Sequence, residues 1–418
     1  MAKMGPPGHR LEAGRRKGVK RKELRIVNIC IIAMIIFFGL LTIRLSINED
    51  LVTVASSALR GGAKPDAAVN TDVSGACSKQ KPLQLAGYAA AEPHLAQLQR
   101  YQDVCKSYVT NSLMIFTSFP TDTAGAATDS AAIAKKLQTL HQAGVRPIVI
   151  AEPYVGDQAM SYRAFMAGTY DSALAEYFKG LRAAGIADDM MGTWVPFPES
   201  NTPNWNNKDT EPSDFALCVN RYLSALKKEF PNAKGSILLN ATTYEPDDVG
   251  YNNGDYLSLV PYLQGLDRSL VTSMGIQGFP WVSNAKAAER REIFRAAEFL
   301  QPDFAIAAAQ ELRTRDIWFN TGSFATKYAN DPSKQASITP NERKAILQGV
   351  LEVVDQVRRY QQNEYRVSVN LFSEDKSKMN EATDWSYWRS DDDQRVLRDF
   401  LAKAAKQGTP VSLFDIAR

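Results

Sequence analysis

Four glutamates stand where an apolar run ends: Glu152 closes PIVIAE, Glu199 closes GTWVPFPE, Glu311 closes FAIAAAQE and Glu374 closes VSVNLFSE. The alternation of a half-buried strand asks for no charge at such a position. A carboxylate there can take or give a proton. Two carboxylates that face each other can cleave a glycosidic bond: one protonates the leaving oxygen while the other attacks the anomeric carbon or activates a water. Glu199 and Glu311 are the expected catalytic pair. Glu199 would be the acid/base, its pKa raised by apolar surroundings, and Glu311 the nucleophile, held ionised beside Arg313 or Arg315. Pro196 and Pro198 suit a strained strand exit that aims Glu199 inward. In a retaining enzyme the two carboxyl groups should lie ~5–5.5 Å apart, against ~6.5–9.5 Å for inversion.

The aromatic residues point the same way. The six tryptophans, Trp194, Trp205, Trp281, Trp318, Trp385 and Trp388, all fall on strand patterns or in the loops after them, and none on a helical pattern. An indole offers the apolar face on which a sugar ring stacks, while amides hold the hydroxyls. Asn201, Tyr154, Trp205, Gln277, Trp281, Trp318 and Trp385 are therefore expected to bind substrate.

Other chemistries lack their residues. The three histidines are His9, His94 and His141, and the chain has no G-x-S-x-G, H-E-x-x-H or G-x-x-x-x-G-K-[ST] motif. Four cysteines occur without C-x-x-C spacing. Cys77 and Cys105 could pair in an oxidising compartment, and Cys218 falls on the apolar side of a helical pattern. No metal and no organic cofactor is expected.

The elements that must position these residues alternate. Eight apolar runs read as strands: 83–89, 113–119, 147–154, 192–199, 236–242, 273–281, 304–311 and 367–374. They are rich in Val, Ile, Leu and Phe, as strands buried on both faces are. Amphipathic helical patterns lie between them and several stop at Gly, as 130–144, 172–185 and 392–408 do. This order predicts an α/β fold, a (β/α)8 TIM barrel over residues 83–418, with function at the C-terminal strand ends. Glu199 and Glu311 would end its fourth and seventh strands, across the barrel from one another. An open doubly wound sheet is the alternative architecture, and LAGYAAAEP supplies no phosphate-binding first turn for it.

The 418-residue chain carries net charge +3 and 44% hydrophobic residues. Nine Lys/Arg against two Glu give residues 1–25 a charge of about +7, which leaves about −4 for the rest. That acidic remainder argues against a nucleic-acid partner. Residues 26–43 are uncharged and would span roughly 27 Å as a helix, close to a ~30 Å bilayer core. They are expected to form one N-terminal transmembrane helix, with the basic head in the cytoplasm, a linker over 44–82 and the barrel outside the cell membrane. A cleavable signal peptide is disfavoured because no A-x-A site follows directly.

Over residues 83–390 the chain resembles clan A glycoside hydrolases and is most similar to family 26, the β-mannanase type. VPFPESN followed by Trp205 resembles the family's acid/base stretch, with Glu199 matching the acid/base and Asn201 its Asn. Glu311 in AAAQE matches the nucleophile, and its distance from Glu199 in sequence is similar to the family's. ALCVNRYLSALKKEF followed by SILLNAT, and GIQGFPW, resemble the passages around strands 5 and 6. Pro198 stands where the family has His, Phe279 where it has Tyr, and Gln277 where it has an acid. The resemblance implies a retaining hydrolase of a β-linked polysaccharide or oligosaccharide such as a β-mannan or β-glucan. A carbohydrate-binding barrel that has lost turnover, favoured by Pro198 and Phe279, and a surface scaffold are the alternatives.

Overall fold

Eight parallel strands close on themselves: β1 (Ser112–Ser118), β2 (Arg146–Glu152), β3 (Thr193–Pro196), β4 (Lys234–Asn240), β5 (Val271–Gln277), β6 (Asp316–Thr321), β7 (Arg366–Phe372) and β8 (Val411–Phe414). Each pairs with its neighbours in sequence, and β1 meets β8 at Leu113↔Leu413 and Met114↔Phe414. In this computed structural model the described residues are 112–120, 122–155, 158–201, 212–240, 260–280, 296–323, 326–327, 336–360, 365–373, 375–376 and 383–414. They belong to one unit, Asp72–Arg418.

The barrel follows from strict alternation along each strand. Met114, Phe116, Ile148, Ile150, Val195, Leu238, Trp318 and Phe372 form an inner cluster along the barrel axis. The intervening residues, among them Leu113, Ile115, Val149, Trp194, Ile237, Leu239, Ile276, Phe319, Val369 and Leu371, belong to a separate cluster under the helices. The outer face of the strands is apolar, as their sequences predict, and β1 to β3 are apolar on the inner face as well, whereas the inner face of β5 and β8 contributes nothing to the inner cluster. The helices that cover it include α1 (Thr123–Gln142), α2 (Tyr162–Met166), α3 (Asp171–Ala183), α4 (Pro212–Glu229), α5 (Val260–Leu263), α6 (Ala296–Leu300), α7 (Pro302–Leu312), α8 (Pro340–Arg359) and α9 (Asp391–Lys406). Cys218 lies in the core of α4, as its helical position predicts.

Two expectations about the strands are corrected. FAIAAAQE is helical, within α7. The segment is apolar nearly all round, so periodicity cannot separate strand from helix, and its alanines are the best helix formers. Pro302 opens the helix, a position where its missing N–H is no loss. The strand lies just beyond, at DIWFNT, and a further short strand, VSLF, closes the ring. The expected strand 83–89 lies outside the described residues, and the barrel closes without it. Glu199 accordingly follows the third described barrel strand rather than the fourth. Among the described residues no helix is long and apolar enough to cross a membrane, and the expected span 26–43 lies outside them.

Candidate active site

The exit of β3 is the most constrained turn in the described chain. Phe197 and Glu199 both have left-handed backbone, at φ 53° and 54°, and Pro198 stands between them. Such a conformation costs a non-glycine residue about 1–3 kcal/mol, so it persists only where the surroundings impose it. They do so here. The Phe197 ring is fully buried and packs edge-on against Phe119, Tyr162 and Phe165 at 5.0–5.1 Å between centroids. Its N–H donates to the Ala151 carbonyl of β2 at 3.1 Å. Ser200 donates to the Phe197 carbonyl at 2.8 Å and lies 2.5 Å from the Tyr162 hydroxyl. Burial pushes the Tyr162 phenol well up, although its bond to Ser200 opposes this, so it stays protonated. Glu199 N–H donates to the Leu238 carbonyl of β4 at 2.8 Å. Asn201 then pairs with the backbone of Asn240, accepting its N–H at 2.9 Å and donating to its carbonyl at 2.5 Å. Glu199 is therefore held half-buried at the C-terminal mouth, between the ends of β2 and β4.

A second carboxylate closes the neighbouring strand. Glu152 is the last residue of β2 and continues the inward series Ile148, Ile150. It is 8% exposed.

The wall that continues from β4 is made of amides. Asn240, Gln277, Asn320, Asn370 and Ser412 occupy one register row across β4 to β8, pairing as Asn240↔Gln277, Gln277↔Asn320, Asn320↔Asn370 and Asn370↔Ser412. All five are buried. The row sinks from the strand end at β4 to the second residue of β8, as the stagger of a closed barrel requires. Ser412 donates to Asn370 Oδ1 at 3.1 Å, Asn370 Nδ2 to Asn320 Oδ1 at 2.6 Å, and Asn320 Nδ2 to Gln277 Oε1 at 2.6 Å.

Above β5 and β7, Phe279, Phe372 and Trp385 pack edge to face with centroids 5.1–5.7 Å apart. Arg343 of α8 fixes this corner. It is fully buried, donates to the carbonyls of Ser323, Trp385 and Ser386 and to Asp393 Oδ1 at 2.8 Å, and lies 4.0 Å over the Tyr387 ring.

The expected site residues fall in different places. Glu199, Asn201 and Gln277 all lie at C-terminal strand ends. Tyr154 is half-buried just past β2, where its carbonyl accepts the Phe119 N–H at 3.1 Å. Two of the expected stacking platforms are spent on packing. Trp318 is an inward residue of β6, hydrogen-bonded to Ser236 at 3.0 Å, and Trp385 is 1% exposed beneath Phe279 and Phe372. Trp205 and Trp281 lie outside the described residues. Glu311 is the main correction. It sits at the end of α7, exposed, in an ion pair with Arg268 at 3.2 Å. Both residues lead into the N-terminal ends of strands, β6 and β5. A barrel strand of seven residues separates that end from the Glu199 mouth by roughly 20 Å, so Glu199 and Glu311 cannot address one bond.

The N-terminal end holds a cavity of about 1380 Å³, lined by Ser112, Thr193, Ser273, Ser368, Ser412 and Trp318 among others. Small hydroxyl residues at the lowest inward positions leave this space where bulkier side chains usually fill a barrel. Among the described residues no cluster of His, Cys, Asp or Glu could hold a metal ion.

The residues missed from sequence are Asn240, Asn320 and Asn370, together with a role for Glu152. Asn240 closes its apolar run as the glutamates do, whereas Asn320 and Asn370 stand inside their strands, before Thr321 and before Leu371 and Phe372.

No protein-family model matches the chain, and no curated protein matches it. Solved structures similar to it include an endo-β-1,4-mannanase from Thermotoga petrophila, at 11% identity over 77% of this chain and 74% of that one, with a TM-score of 0.42. A β-glucosidase from Thermotoga maritima is 10% identical over 75% of this chain and 87% of that one, with a TM-score of 0.43. A modular family 26 endo-β-1,4-mannanase from Cellulomonas fimi is 15% identical over 66% and 58%, with a TM-score of 0.42. These are glycoside hydrolases, the kind of protein the sequence resembles. The likeness is one of barrel shape and assigns no residue a role.

Proposed function

We propose that this chain is a glycoside hydrolase acting on a β-linked polysaccharide or oligosaccharide at the C-terminal mouth of its barrel. The observation that carries the reading is the doubly left-handed turn at Phe197–Glu199. Backbone strain of this kind, imposed by tethers to both neighbouring strands, is a means of fixing a reactive side chain rather than of gaining stability. Glu199 is the acid that protonates the leaving oxygen. Glu152 replaces Glu311 as its counterpart and attacks the anomeric carbon. Glu152 ends β2 and Glu199 follows the adjacent β3, and a retaining double displacement would need their carboxyl groups ~5–5.5 Å apart. Asn201, Tyr154 and Gln277 line the sugar site, with Trp205 and Trp281 as its stacking rings. The run 26–43, flanked by the basic head, anchors the barrel outside the cell membrane with the N-terminus inside.

The test is sugar release by the full-length protein from β-mannan, β-glucan, xylan and β-galactan. Glu199→Gln and Glu152→Gln should each lower release at least 10³-fold, and Glu311→Gln should leave it unchanged. Full activity in Glu199→Gln would overturn the assignment. A second reading, a carbohydrate-binding barrel without turnover, is favoured by Pro198 and Phe279. It is supported instead if the protein binds one of these glycans and releases nothing.

A further inference from the structure

The turn that carries Glu199 is held from two sides. On the β4 side the tethers are the Glu199 N–H and Asn201. On the β2 side the Phe197 N–H is joined by two side-chain hydroxyls. Ser200 gives its one hydroxyl proton to the Phe197 carbonyl at 2.8 Å. The Tyr162 hydroxyl, 2.5 Å from Ser200 Oγ, is then the donor of that bond. Burial, which keeps the phenol protonated, agrees with this direction. The hydroxyls form a one-way relay from Tyr162 through Ser200 to Phe197, and both residues are buried. Tyr162 is itself fixed. Its ring packs edge-on against Phe197 with centroids 5.0 Å apart, and its carbonyl accepts from the Cys218 thiol at 3.7 Å. Ser161 caps α2 by accepting the Ala164 N–H at 3.3 Å. Between Glu152 and α2 the chain doubles back, so that the Met160 N–H donates to the Pro153 carbonyl at 2.7 Å. The relay thus ties the chain that leaves Glu152 to the turn that carries Glu199.

We propose that Tyr162 and Ser200 are positioning residues for Glu199: their relay holds the Phe197–Glu199 turn in its left-handed conformation and so fixes where the Glu199 carboxyl stands. Left-handed backbone at a non-glycine residue relaxes when it is released, and the relay opposes this at the carbonyl of the first such residue. Neither hydroxyl acts on substrate; both act through Glu199. Proton transfer needs the acid within hydrogen-bond reach, so a carboxyl displaced by about 1 Å loses roughly 10²-fold in rate. The catalytic half of this inference rests on the glycoside-hydrolase reading, whereas the hold on the turn does not.

The hold is tested by amide hydrogen exchange in the full-length protein. The Phe197 and Glu199 N–H groups are bonded to the Ala151 and Leu238 carbonyls, and Pro198 has no amide, so residues 197–199 report the turn through two protons. In Tyr162→Phe both should exchange about tenfold faster than in the wild type, as a loosened local unit does. Tyr177→Phe is the control. It removes another buried phenol of the same core cluster, bonded to Thr117, and should leave both rates unchanged. Unchanged rates in Tyr162→Phe, or the same acceleration in Tyr177→Phe, would overturn the proposal. If Tyr162→Phe does not fold, Ser200→Ala breaks the relay at its other member and is read in the same way. On any glycan the wild type cleaves, Tyr162→Phe should lower kcat about 30-fold with KM within about twofold, while Tyr177→Phe keeps both. The double variant of Tyr162→Phe and Ser200→Ala should be no slower than Ser200→Ala, because members of one unit are not additive. A faster-exchanging turn with wild-type kcat would refute the positioning role. Absence of cleavage by the wild type counts against the hydrolase reading, and the exchange rates still decide whether the relay holds the turn.

Discussion

Asn201 and Asn240 exchange two hydrogen bonds, side chain to backbone, in the manner of one more strand pair. The bonds extend the sheet past the end of β3 and tie the Glu199 turn to β4. Replacing Asn201 with Ala leaves the Asn240 N–H and carbonyl without these partners at a half-buried site. Leaving buried polar groups unsatisfied costs about 1–3 kcal/mol. Urea denaturation should show a loss of that size, and sugar release should fall as the turn loosens. An unchanged midpoint would mean that other contacts hold the turn.

Arg343 and Asp393 form a fully buried ion pair at 2.8 Å. Burial alone would raise the Asp393 pKa, but hydrogen bonds from Arg343 and Ser390 and the nearby Arg389 outweigh it and hold the carboxyl below its ordinary value. A carboxylate whose folded pKa is depressed contributes stability above its unfolded pKa, and that stability is lost as pH falls through the folded value. Thermal stability should therefore decline below about pH 4. Arg343→Met strands the Asp393 charge and should cost about 3–5 kcal/mol at pH 7. The deficit relative to wild type should narrow in acid, where Asp393 is neutral in both proteins. A deficit independent of pH would show that the lost carbonyl contacts, not the charge pair, dominate.

The legible part of this fold is the part that burial writes into strand composition. Val149, Ile237 and Ile276 sit on the helix side of apolar runs, and those runs gave six of the strands. The Ala-rich stretch before Arg313 could not be read by period, because every face of it is apolar. The true β6 holds only a short apolar run, Ile317 to Phe319, between Asp316, which opens the strand in an ion pair with Arg366, and Asn320. That single error displaced Glu311 to a strand end it does not occupy. The position of Glu199 just past a barrel strand was legible because a carboxylate closing a buried run is conspicuous. The amides of SILLN and MGIQ close their strands without a charge, those of DIWFNT and VSVNLF stand within theirs, and only the register row shows that they belong together.

Gly275 is required by Trp318. A Cβ on Gly275 would lie 2.3–2.7 Å from three atoms of the indole, whose nitrogen is tied to Ser236. To make way the ring would have to shift, at the expense of its bond to Ser236. Gly275→Ala should destabilise the barrel by about 1–3 kcal/mol, the usual cost of overpacking. Gly275→Ala combined with Trp318→Phe should recover part of it, since the smaller ring frees the space. Equal stability of the single variant and wild type would show that the ring can move aside.

Glu199, the proposed acid, has a backbone conformation that suits glycine. If the strain is kept for the carboxylate, removing both together should be cheaper than removing the carboxylate alone. Glu199→Gln keeps the left-handed strain, and Glu199→Gly relieves it. The glycine variant should therefore be at least as stable as the glutamine variant, by about 1 kcal/mol, despite glycine's greater freedom in the unfolded chain. Both should lose sugar release. Relief of strain with loss of activity is the expected trade at a catalytic turn. A glycine variant clearly less stable than Glu199→Gln would mean that the Glu199 side chain contributes packing or hydrogen bonds that outweigh the strain, and the turn would then be a structural joint rather than a device for holding an acid.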